Sequence, residues 1–280
     1  MQVIEDPASF QRACRAAGRV VLVPTMGALH EGHLALLRRA RELAGPEGTV
    51  AVSIFVNPIQ FDRPNDLAAY PKPLEADLAA CDKESADLVL VPTAGTMYAA
   101  DRSILVTESL LSKHLCGATR PGHFDGVCTV VLKLFLLSNA AAAVFGEKDF
   151  QQLAIIRRMV RDLNVPIEII GHPTIRESDG LAMSSRNARL LPEHRADAPR
   201  IRRALIAARD LLPYGERSAA IFIEAARSHL LASPFLKIDY LEVVDAETLQ
   251  AVSTILRPSV LAVAGFYGEV RLIDHISLHP

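Results

Sequence analysis

The chain has 280 residues, of which 50% are hydrophobic and 22% are charged. This length predicts about two domains with a sizeable core, and the composition excludes a disordered or fibrous protein. Because 30 Lys and Arg residues face 32 Asp and Glu residues, the net charge of −2 gives no bulk electrostatic reason to bind nucleic acid or membranes, so any anion site must be local.

Short β-branched runs alternate with longer amphipathic segments through the first 170 residues. This alternation predicts βαβ units and a doubly wound parallel sheet. The predicted strands lie at 20–23, 50–56, 87–91, 104–106, 141–145 and 165–170, and the predicted helices at 34–44, 67–81, 125–139 and 149–163.

The pattern changes after about residue 175, where a polar loop leads to two helical stretches and then to strands without intervening helices. The helices are predicted at 192–212 and 217–231, and the strands at 235–244, 260–266 and 270–278. The last two strands are joined by a tight turn, which favours an antiparallel sheet. We therefore expect an α/β domain over 1–175 and a smaller α+β domain over 176–280.

The cysteines are widely scattered and form neither a CxxC pair nor a zinc-type cluster, which predicts buried, reduced thiols. They are Cys14, Cys81, Cys116 and Cys128. The first residues lack the basic region and apolar stretch of a signal peptide, so a cytoplasmic location is expected.

One segment, 127–146, is apolar enough to raise the question of a membrane span. Lys133, Ser138 and Asn139 interrupt it, so no clean run of about 20 apolar residues remains. A buried helix followed by a buried strand is the better interpretation, and no membrane partner is expected.

The first strand is followed by the sequence PTMGALHEGHLALL, which would form a strand-to-helix turn. Gly27 and Gly32 would let the backbone approach a ligand, and His30 and His33 could grip a phosphate chain at a helix N-terminus. The pair alone could equally bind a metal or have no function, because short motifs match by chance. The sequence contains neither a Walker loop nor GxGxxG here.

A second strand exit reads FGEKDFQQL. Asp149 suits a helix N-terminus, but the cation Lys148 is disfavoured there by about 0.3–1 kcal/mol and so indicates a bound anion such as a phosphate. Pairing of Lys148 with Glu147 or Asp149 at the surface is the alternative.

The polar loop at the domain junction reads RESDGLAMSSRN. Ser184 and Ser185 supply hydroxyl donors, and Arg186 supplies a planar fork suited to phosphate oxygens. A mobile loop here could close over a nucleotide, although such a string is often a solvated linker.

Polar groups also occur near the predicted cleft, after the second strand and before the long apolar helix. The amides of Asn57 and Gln60 could hold a small hydroxylated acid without adding charge, or could simply belong to a turn. Arg120, in RPGHFDGV, could contact an anion or cap the following helix.

Together, PTMGALHEGH, SIFVNPIQF, RPGHFDGV, FGEKDFQQL and DGLAMSSRN follow the order and spacing of the pantothenate synthetases, and the chain resembles that family over residues 1–280. The resemblance implies a Rossmann-like nucleotidyltransferase domain, a smaller C-terminal domain that covers the site, and a homodimer. The HxGH and MSSRN segments are similar to the HIGH and KMSKS signatures of class I aminoacyl-tRNA synthetases.

The resemblance also implies an activity: the ATP-dependent condensation of pantoate with β-alanine through a pantoyl adenylate. It places Gln60 and Gln152 on pantoate, Gln60 also on β-alanine, and Asn57, Tyr70 and Arg120 around the same cavity. The catalytic set it implies is His30, His33, Lys148 and Arg186. The implied ATP site comprises Met26, Gly27, Ala28, Leu29, His30, Glu31, Gly32, His33, Gly146, Glu147, Lys148, Asp149, Ile175, Met183, Ser184, Ser185 and Arg186.

One departure from the family concerns Mg²⁺. Relatives often carry adjacent acidic residues after the YP segment, whereas this chain has Ala76 beside Asp77. Asp77 is therefore the one remaining candidate metal ligand, and Mg²⁺ is expected to be carried mainly by the ATP phosphates.

Two rival interpretations of the function remain. One is a nucleotidylyltransferase that stops at nucleotide transfer, and the other is a nucleotide-sensing module without turnover.

Overall fold

The computed structural model describes all 280 residues, which divide into two compact units. The first unit comprises Met1–Ser109, Arg120–Glu147 and Gln152–Pro173. The second unit comprises Leu110–Thr119, Lys148–Gln151 and Thr174–Pro280.

The first unit is built on a six-stranded parallel sheet. Its strands are β1 (Gln2–Ile4), β2 (Val20–Thr25), β3 (Thr49–Ile54), β4 (Leu88–Leu90), β5 (Ala142–Gly146) and β6 (Glu168–His172), in the spatial order β1-β4-β3-β2-β5-β6. The central strands are continuous apolar runs because both faces of the sheet are covered, and all four residues from Val20 to Val23 are buried. The predicted doubly wound parallel sheet is confirmed.

The first unit has seven helices, and those at 31–44, 74–83, 123–138 and 150–162 lie where helices were predicted. The seven helices are α1 (Pro7–Ala16), α2 (Glu31–Ala44), α3 (Pro64–Ala68), α4 (Leu74–Lys83), α5 (Ala94–Met97), α7 (His123–Ser138) and α8 (Phe150–Asp162), the last beginning in the second unit. In α2, Leu36, Leu37 and Ala40 are buried, whereas Arg38 is exposed. This burial packs α2 against the sheet.

The second unit is an α+β arrangement around an antiparallel sheet of three strands, β7 (Leu236–Asp245), β8 (Ser259–Tyr267) and β9 (Val270–Leu278), in that order. Its helices are α6 (Leu115–Thr119), α9 (Pro192–Asp197), α10 (Arg200–Arg209) and α11 (Ala219–Leu231). One face of the sheet packs on the helices, with Leu205, Phe222 and Leu261 fully buried in the shared core.

Several details differ from the predicted elements. The predicted strand at 104–106 is wrong, because Ile104 is 79% exposed and the segment pairs with no strand. The predicted helix at 67–81 is interrupted at Pro71 and Pro73, and that at 192–212 is split beside Pro199, since proline interrupts the helical hydrogen bonds. The sequence interpretation also missed β1 and α1, although Asp6 caps α1 just before Pro7.

Two smaller predictions hold. The apolar segment 127–146 is a buried helix, α7, followed by a buried strand, β5, and no helix has the length and apolar character needed to cross a membrane. All four cysteines are buried and unpaired.

Candidate active site

The sheet has its topological switch point between β2 and β5, because the chain runs from β2 outward to β3 and β4 on one side and to β5 and β6 on the other. Ligands of open α/β sheets collect at the carboxyl ends of the strands beside such a point. Thr25, at the end of β2, lies opposite Ile54 in β3. The turns that follow these two strands are therefore neighbours, and they carry most of the predicted site of the first unit.

The two histidines of the first turn cap α2 with their own rings. His30 is the N-cap, and its Nδ1 accepts the backbone N–H of Gly32 at 3.1 Å, while Nδ1 of His33 accepts the backbone N–H of His30 at 3.3 Å. An Nδ1 that accepts a hydrogen bond carries no proton, so in each neutral ring the proton lies on Nε2. Each imidazole is thus fixed in the tautomer that donates from its outer nitrogen.

Gly27 is held in the left-handed region, with φ of +66°, by contacts on both sides. The Tyr70 hydroxyl donates to the Gly27 carbonyl at 2.7 Å, and a Cβ at this position would clash with the Asp77 carboxylate. Only glycine fits this position, because the backbone conformation and the close approach both exclude a side chain. Tyr70, which was predicted to line the substrate cavity, is buried, and its hydrogen bond to Gly27 shapes the turn.

The Asp77 carboxylate does not have the surroundings of a metal ligand. It is 2% exposed, and Oδ1 accepts the backbone N–H of Leu29 at 2.7 Å. Burial raises the pKa of the Asp77 carboxyl above its usual range, and the Leu29 hydrogen bond offsets only part of that rise. No group of three or more His, Cys, Asp or Glu residues with metal-binding geometry occurs in the chain. The residues present therefore do not fit a protein-held Mg²⁺, and Asp77 braces the turn.

The Gln60 side chain lies beside the first turn, in a 3-10 turn that follows β3. Its Nε2 approaches the Met26 Sδ at 3.3 Å, and its Oε1 accepts from Asn57 Nδ2 at 2.9 Å. The same Asn57 nitrogen donates to the Gly126 carbonyl at 3.1 Å, and the Tyr98 hydroxyl donates to Asn57 Oδ1 at 2.8 Å. The structure thus brings the predicted residues Met26, Asn57 and Gln60 together.

The backbone of Gln60 is fixed from the opposite direction by α7. His123 Nδ1 donates to the Gln60 carbonyl at 2.7 Å, so His123 Nε2 is the acceptor for Arg120 Nη1 at 3.1 Å. Arg120 also pairs with Asp62 at 2.8 Å. Burial raises the pKa of Asp62, but the Arg120 hydrogen bond and charge outweigh it and leave that pKa lowered. The predicted substrate residue Arg120 is therefore engaged in supporting Gln60.

At the exit of β5, Gly146 ends the strand opposite His172 of β6, and Glu147 follows in a 3-10 turn. Gln152 lies in the first turn of α8, half-buried, and its carboxamide makes no hydrogen bond within the chain. An amide with unused donors and acceptor fits the predicted role of Gln152 in holding a small polar substrate.

In the second unit, Lys148 lies 3.9 Å from Asp149, too far for a hydrogen bond. The pairing of these residues is therefore weak and leaves Lys148 able to meet an anion. The neighbouring Gln151 is buried, and its Nε2 donates to the carbonyls of Leu111 at 2.8 Å and His114 at 2.6 Å. Gln151 thereby joins the segment of Lys148 to the segment of α6.

The loop 176–187 is braced within the second unit. Arg176 pairs with Asp274 through both terminal nitrogens at 2.7 and 2.9 Å, and it also donates to the Gly180 carbonyl. Arg195 pairs with Glu177 at 2.7 Å and with Asp179 at 2.6 Å. These ion pairs and the isolated antiparallel bridge between Arg176 and Ala182 give the loop a defined shape.

The predicted phosphate donors Ser184, Ser185 and Arg186 lie at the end of this loop. The backbone N–H of Met183 donates to the Ile175 carbonyl at 3.0 Å, and Ser184 caps a short 3-10 helix, Ser185–Arg189, by accepting the backbone N–H of Arg186 at 3.2 Å. Asn187 Nδ2 donates to Glu177 and to the Ala182 carbonyl. The segment thus places two hydroxyls and one guanidinium at the start of a helical turn.

Sequence reasoning did not assign a role to Tyr98, Asp62 or His123. Their contacts with Asn57, Arg120 and Gln60 join residues 41, 58 and 63 positions apart in sequence. No local sequence pattern predicts these contacts, because each residue is of a type that commonly occurs in its own segment.

Comparison with known proteins assigns the chain to a family. The family model described as pantoate-beta-alanine ligase matches residues 2–277. The chain is 53% identical to the pantothenate synthetase of Akkermansia muciniphila, across 99% of this chain and 100% of that protein. It is 48% identical to the pantothenate synthetase of Desulfovibrio desulfuricans, across the full length of both.

Solved structures give the same result. The pantothenate synthetase of Thermus thermophilus superposes with a TM-score of 0.94 and 44% identity, and each chain is covered completely. The pantoate-beta-alanine ligase of Francisella tularensis, in complex with beta-gamma ATP and beta-alanine, superposes with a TM-score of 0.79 and 30% identity, over 99% of this chain and 97% of that one. The sequence comparisons and the structural comparisons therefore give the same family over the whole length of the chain. The chain belongs to the pantoate–β-alanine ligase family.

Proposed function

We propose that the chain condenses pantoate with β-alanine at the expense of ATP, giving pantothenate, AMP and pyrophosphate through a pantoyl adenylate. One observation carries this proposal beyond family membership. The Gln60 amide lies against the turn of Met26, and His30 and His33 of the same turn are both fixed as Nε2–H donors. The amides of Asn57 and Gln60 thus lie beside the turn that carries the two Nε2–H donors, which supports binding of an acid next to a phosphate chain.

The first chemical step overcomes the poor electrophilicity of a carboxylate. A pantoate carboxylate oxygen attacks the α-phosphorus of ATP, and the bond between that phosphorus and the oxygen bridging to the β-phosphorus breaks. Pyrophosphate leaves with the bonding electrons, and a mixed anhydride of pantoate and AMP remains. Holding pantoate through Gln60 and Gln152 makes this attack effectively unimolecular, and the Nε2–H groups of His30 and His33 stabilise the charge on the phosphate oxygens.

The second step forms the amide. The neutral amine of β-alanine attacks the acyl carbon of the adenylate, the bond from that carbon to the phosphate oxygen breaks, and AMP leaves as the amine loses a proton. Because an exposed adenylate would hydrolyse, water must be excluded during this step. Gln60, which is 7% exposed, offers β-alanine a largely dehydrated surface.

The remaining assignments belong to the same proposal. Lys148, Ser184, Ser185 and Arg186 of the second unit bind ATP phosphates, and Lys148 and Arg186 stabilise the departing pyrophosphate. Mg²⁺ arrives with the ATP phosphates, since the chain offers it no group of ligands. A homodimer and a cytoplasmic location, both expected from the sequence, are further parts of the proposal.

A single set of assays tests the function. The purified chain is incubated with ATP, pantoate and each of several amines, and AMP and amide are measured. In parallel, pantoate-dependent exchange of labelled pyrophosphate into ATP is followed without β-alanine. We expect AMP and amide with β-alanine, and exchange without it.

The rival functions give different outcomes. A nucleotidylyltransferase would release pyrophosphate but retain the nucleotide in its final product. A nucleotide sensor would bind ATP without releasing AMP. Amide synthesis without any exchange would instead overturn the adenylate intermediate while leaving the ligase activity in place.

A further inference from the structure

The Gln60 side chain is the end of a chain of hydrogen bonds that begins at a backbone carbonyl of α7. Asn57 Nδ2 donates to the Gly126 carbonyl at 3.1 Å and to Gln60 Oε1 at 2.9 Å. On its other side, Asn57 Oδ1 accepts the Tyr98 hydroxyl at 2.8 Å. The chain is enclosed, because Asn57 is 1% exposed and Gln60 is 7% exposed.

The polarity of these bonds is set at one end. A backbone carbonyl can only accept a hydrogen bond, so the Asn57 side that faces Gly126 must be the NH₂ group. The opposite side is then the carbonyl oxygen, and the Tyr98 hydroxyl must donate to it. Since the second N–H of Asn57 points at Gln60, the Gln60 oxygen must face Asn57. The Gln60 NH₂ group is left on the far side, near the Met26 sulfur.

We propose that Tyr98 is a positioning residue that locks the Asn57 amide, and through it the Gln60 amide, in the orientation that presents N–H donors to an oxygen of the acid substrate. This proposal rests on the proposed function. It assigns to Tyr98 a role in substrate specificity although the tyrosine itself does not contact substrate. The substrate group that meets Gln60 is accordingly a hydrogen-bond acceptor, as a carboxylate or hydroxyl oxygen is.

The surroundings of Tyr98 suit a fixed donor. Its ring packs near Phe55, with centroids 6.2 Å apart, and the Arg102 guanidinium and the Lys133 ammonium lie 5.4 and 5.6 Å from the ring centroid. Burial raises the pKa of the Tyr98 phenol to about 12, with a smaller opposing effect of Arg102, so the hydroxyl keeps its proton at neutral pH.

The carbonyl that starts the chain is equally well fixed. A Cβ on Gly126 would lie 2.5 Å from the Ile59 carbonyl oxygen and 2.6 Å from Gln60 Cα, so α7 packs directly on the 3-10 turn. The His123 hydrogen bond to the Gln60 carbonyl holds the same two elements together. With both backbones fixed, an amide flip at Asn57 would set its Oδ1 against the Gly126 carbonyl oxygen. The Tyr98 hydrogen bond holds Asn57 Oδ1 in the position that the Gly126 contact selects.

The test is Tyr98→Phe, which removes the donor and keeps the ring. We expect the KM for pantoate in the pyrophosphate exchange assay to rise roughly tenfold, which corresponds to about 1.4 kcal/mol. This is the effect expected from the loss of one hydrogen bond, and the KM for ATP should be unchanged. Tyr214→Phe is the matched control, because Tyr214 is 89% exposed. Thermal melting of both variants shows whether the fold is intact.

A double-mutant cycle separates positioning from general damage. If Tyr98 acts through Gln60, then Tyr98→Phe added to Gln60→Ala should have no further effect on the KM for pantoate. Additive effects, or an unchanged KM in Tyr98→Phe beside an active wild-type enzyme, would overturn the proposal.

A wild-type chain without pantoate-dependent exchange would instead refute the proposed function, and the amide orientation would still be decided by NMR. In the proposed orientation, the Asn57 side-chain NH₂ protons are protected from solvent exchange and the Gln60 NH₂ protons exchange faster. Tyr98→Phe should accelerate exchange at Asn57. Equal protection of both amides, or no change at Asn57 in the variant, would overturn the orientation.

Discussion

The rings of His30 and His33 lie with their centroids 4.0 Å apart, and both present Nδ1 to a backbone N–H at the start of α2. The same two side chains therefore serve as the cap of a helix and as a pair of Nε2–H donors. The sequence left phosphate binding and a pair without function as alternatives. The capping role shows that the pair also has a structural role, which is compatible with phosphate binding. This arrangement also makes the two roles separable by mutation.

The first prediction uses that separation. His30→Asn should keep the helix cap, because Asn is among the strongest N-cap residues, and the free energy of unfolding should stay within about 0.5 kcal/mol of wild type. Turnover should still fall by roughly 10²-fold, since the proposed phosphate donor is lost. Urea unfolding and the coupled AMP assay measure the two effects.

His30→Ala serves as the comparison, because it should lose both the cap, at about 1 kcal/mol, and the activity. Near-normal turnover in His30→Asn would show that the histidine is only a cap.

The second prediction concerns Asp77, whose carboxylate stabilises the turn after β2 by accepting the Leu29 N–H. Asp77→Asn keeps an oxygen for the Leu29 N–H and removes a buried charge, so stability at neutral pH should be unchanged or increased. Asp77→Ala should lose about 1–3 kcal/mol, because the Leu29 N–H is left without its partner. Chemical denaturation of both variants measures the difference.

A magnesium titration of the exchange reaction distinguishes the brace from a metal ligand. The Mg²⁺ concentration for half-maximal rate should be the same in Asp77→Asn and in wild type. A several-fold rise would show that the carboxylate binds the metal after all.

The third prediction concerns the ion pair of Arg176 and Asp274, which fixes the loop 176–187. The Asp274 side chain is 3% exposed, so Asp274→Ala would leave the Arg176 guanidinium without its partner at a cost of about 3 kcal/mol. The KM for ATP should also rise, because the loop carries the predicted phosphate donors Ser184, Ser185 and Arg186.

Asp162→Ala is the control for this pair, since Arg161 and Asp162 form an ion pair in which each side chain is more than half exposed. Its removal should cost less than about 1 kcal/mol. Equal effects of the two variants on unfolding would contradict a bracing role for Asp274.

The fourth prediction is a pH dependence of stability from Asp197 of the second unit. Burial raises the pKa of Asp197, but hydrogen bonds from Ser233, Arg200 and Tyr267 outweigh it and leave that pKa below its usual range. A lowered folded-state pKa contributes stability that is present above the unfolded-state pKa and is lost as pH falls through the folded-state value.

Asp197→Asn should therefore flatten the loss of unfolding free energy on acidification from about pH 5 downward. Equilibrium urea unfolding at several pH values measures the slope. Asp210→Asn, at an exposed carboxylate, is the control, and a slope unchanged in Asp197→Asn would contradict the assignment.

The sequence by itself determined the architecture of both units. Periods of about 3.6 and 2 residues follow directly from how helices and strands bury one face, and the long runs of β2, β5 and α7 are too apolar to lie anywhere but in a core. The short strand β1 was not predicted, because its three residues carry little periodicity. The strand predicted at 104–106 was wrong, because this exposed run has strand-like residues but no partner strand.

The sequence also placed His30, His33 and Gln60 at strand exits, where ligands of parallel sheets gather. Only the tertiary structure decided what holds them. Tyr70 and Asp77 clamp Gly27, Arg120 supports Gln60 through His123, and Tyr98 orients Asn57, through contacts between residues far apart in the chain. Hydrogen-bond direction depends on which atoms meet in three dimensions, and that information is absent from any local pattern of residues.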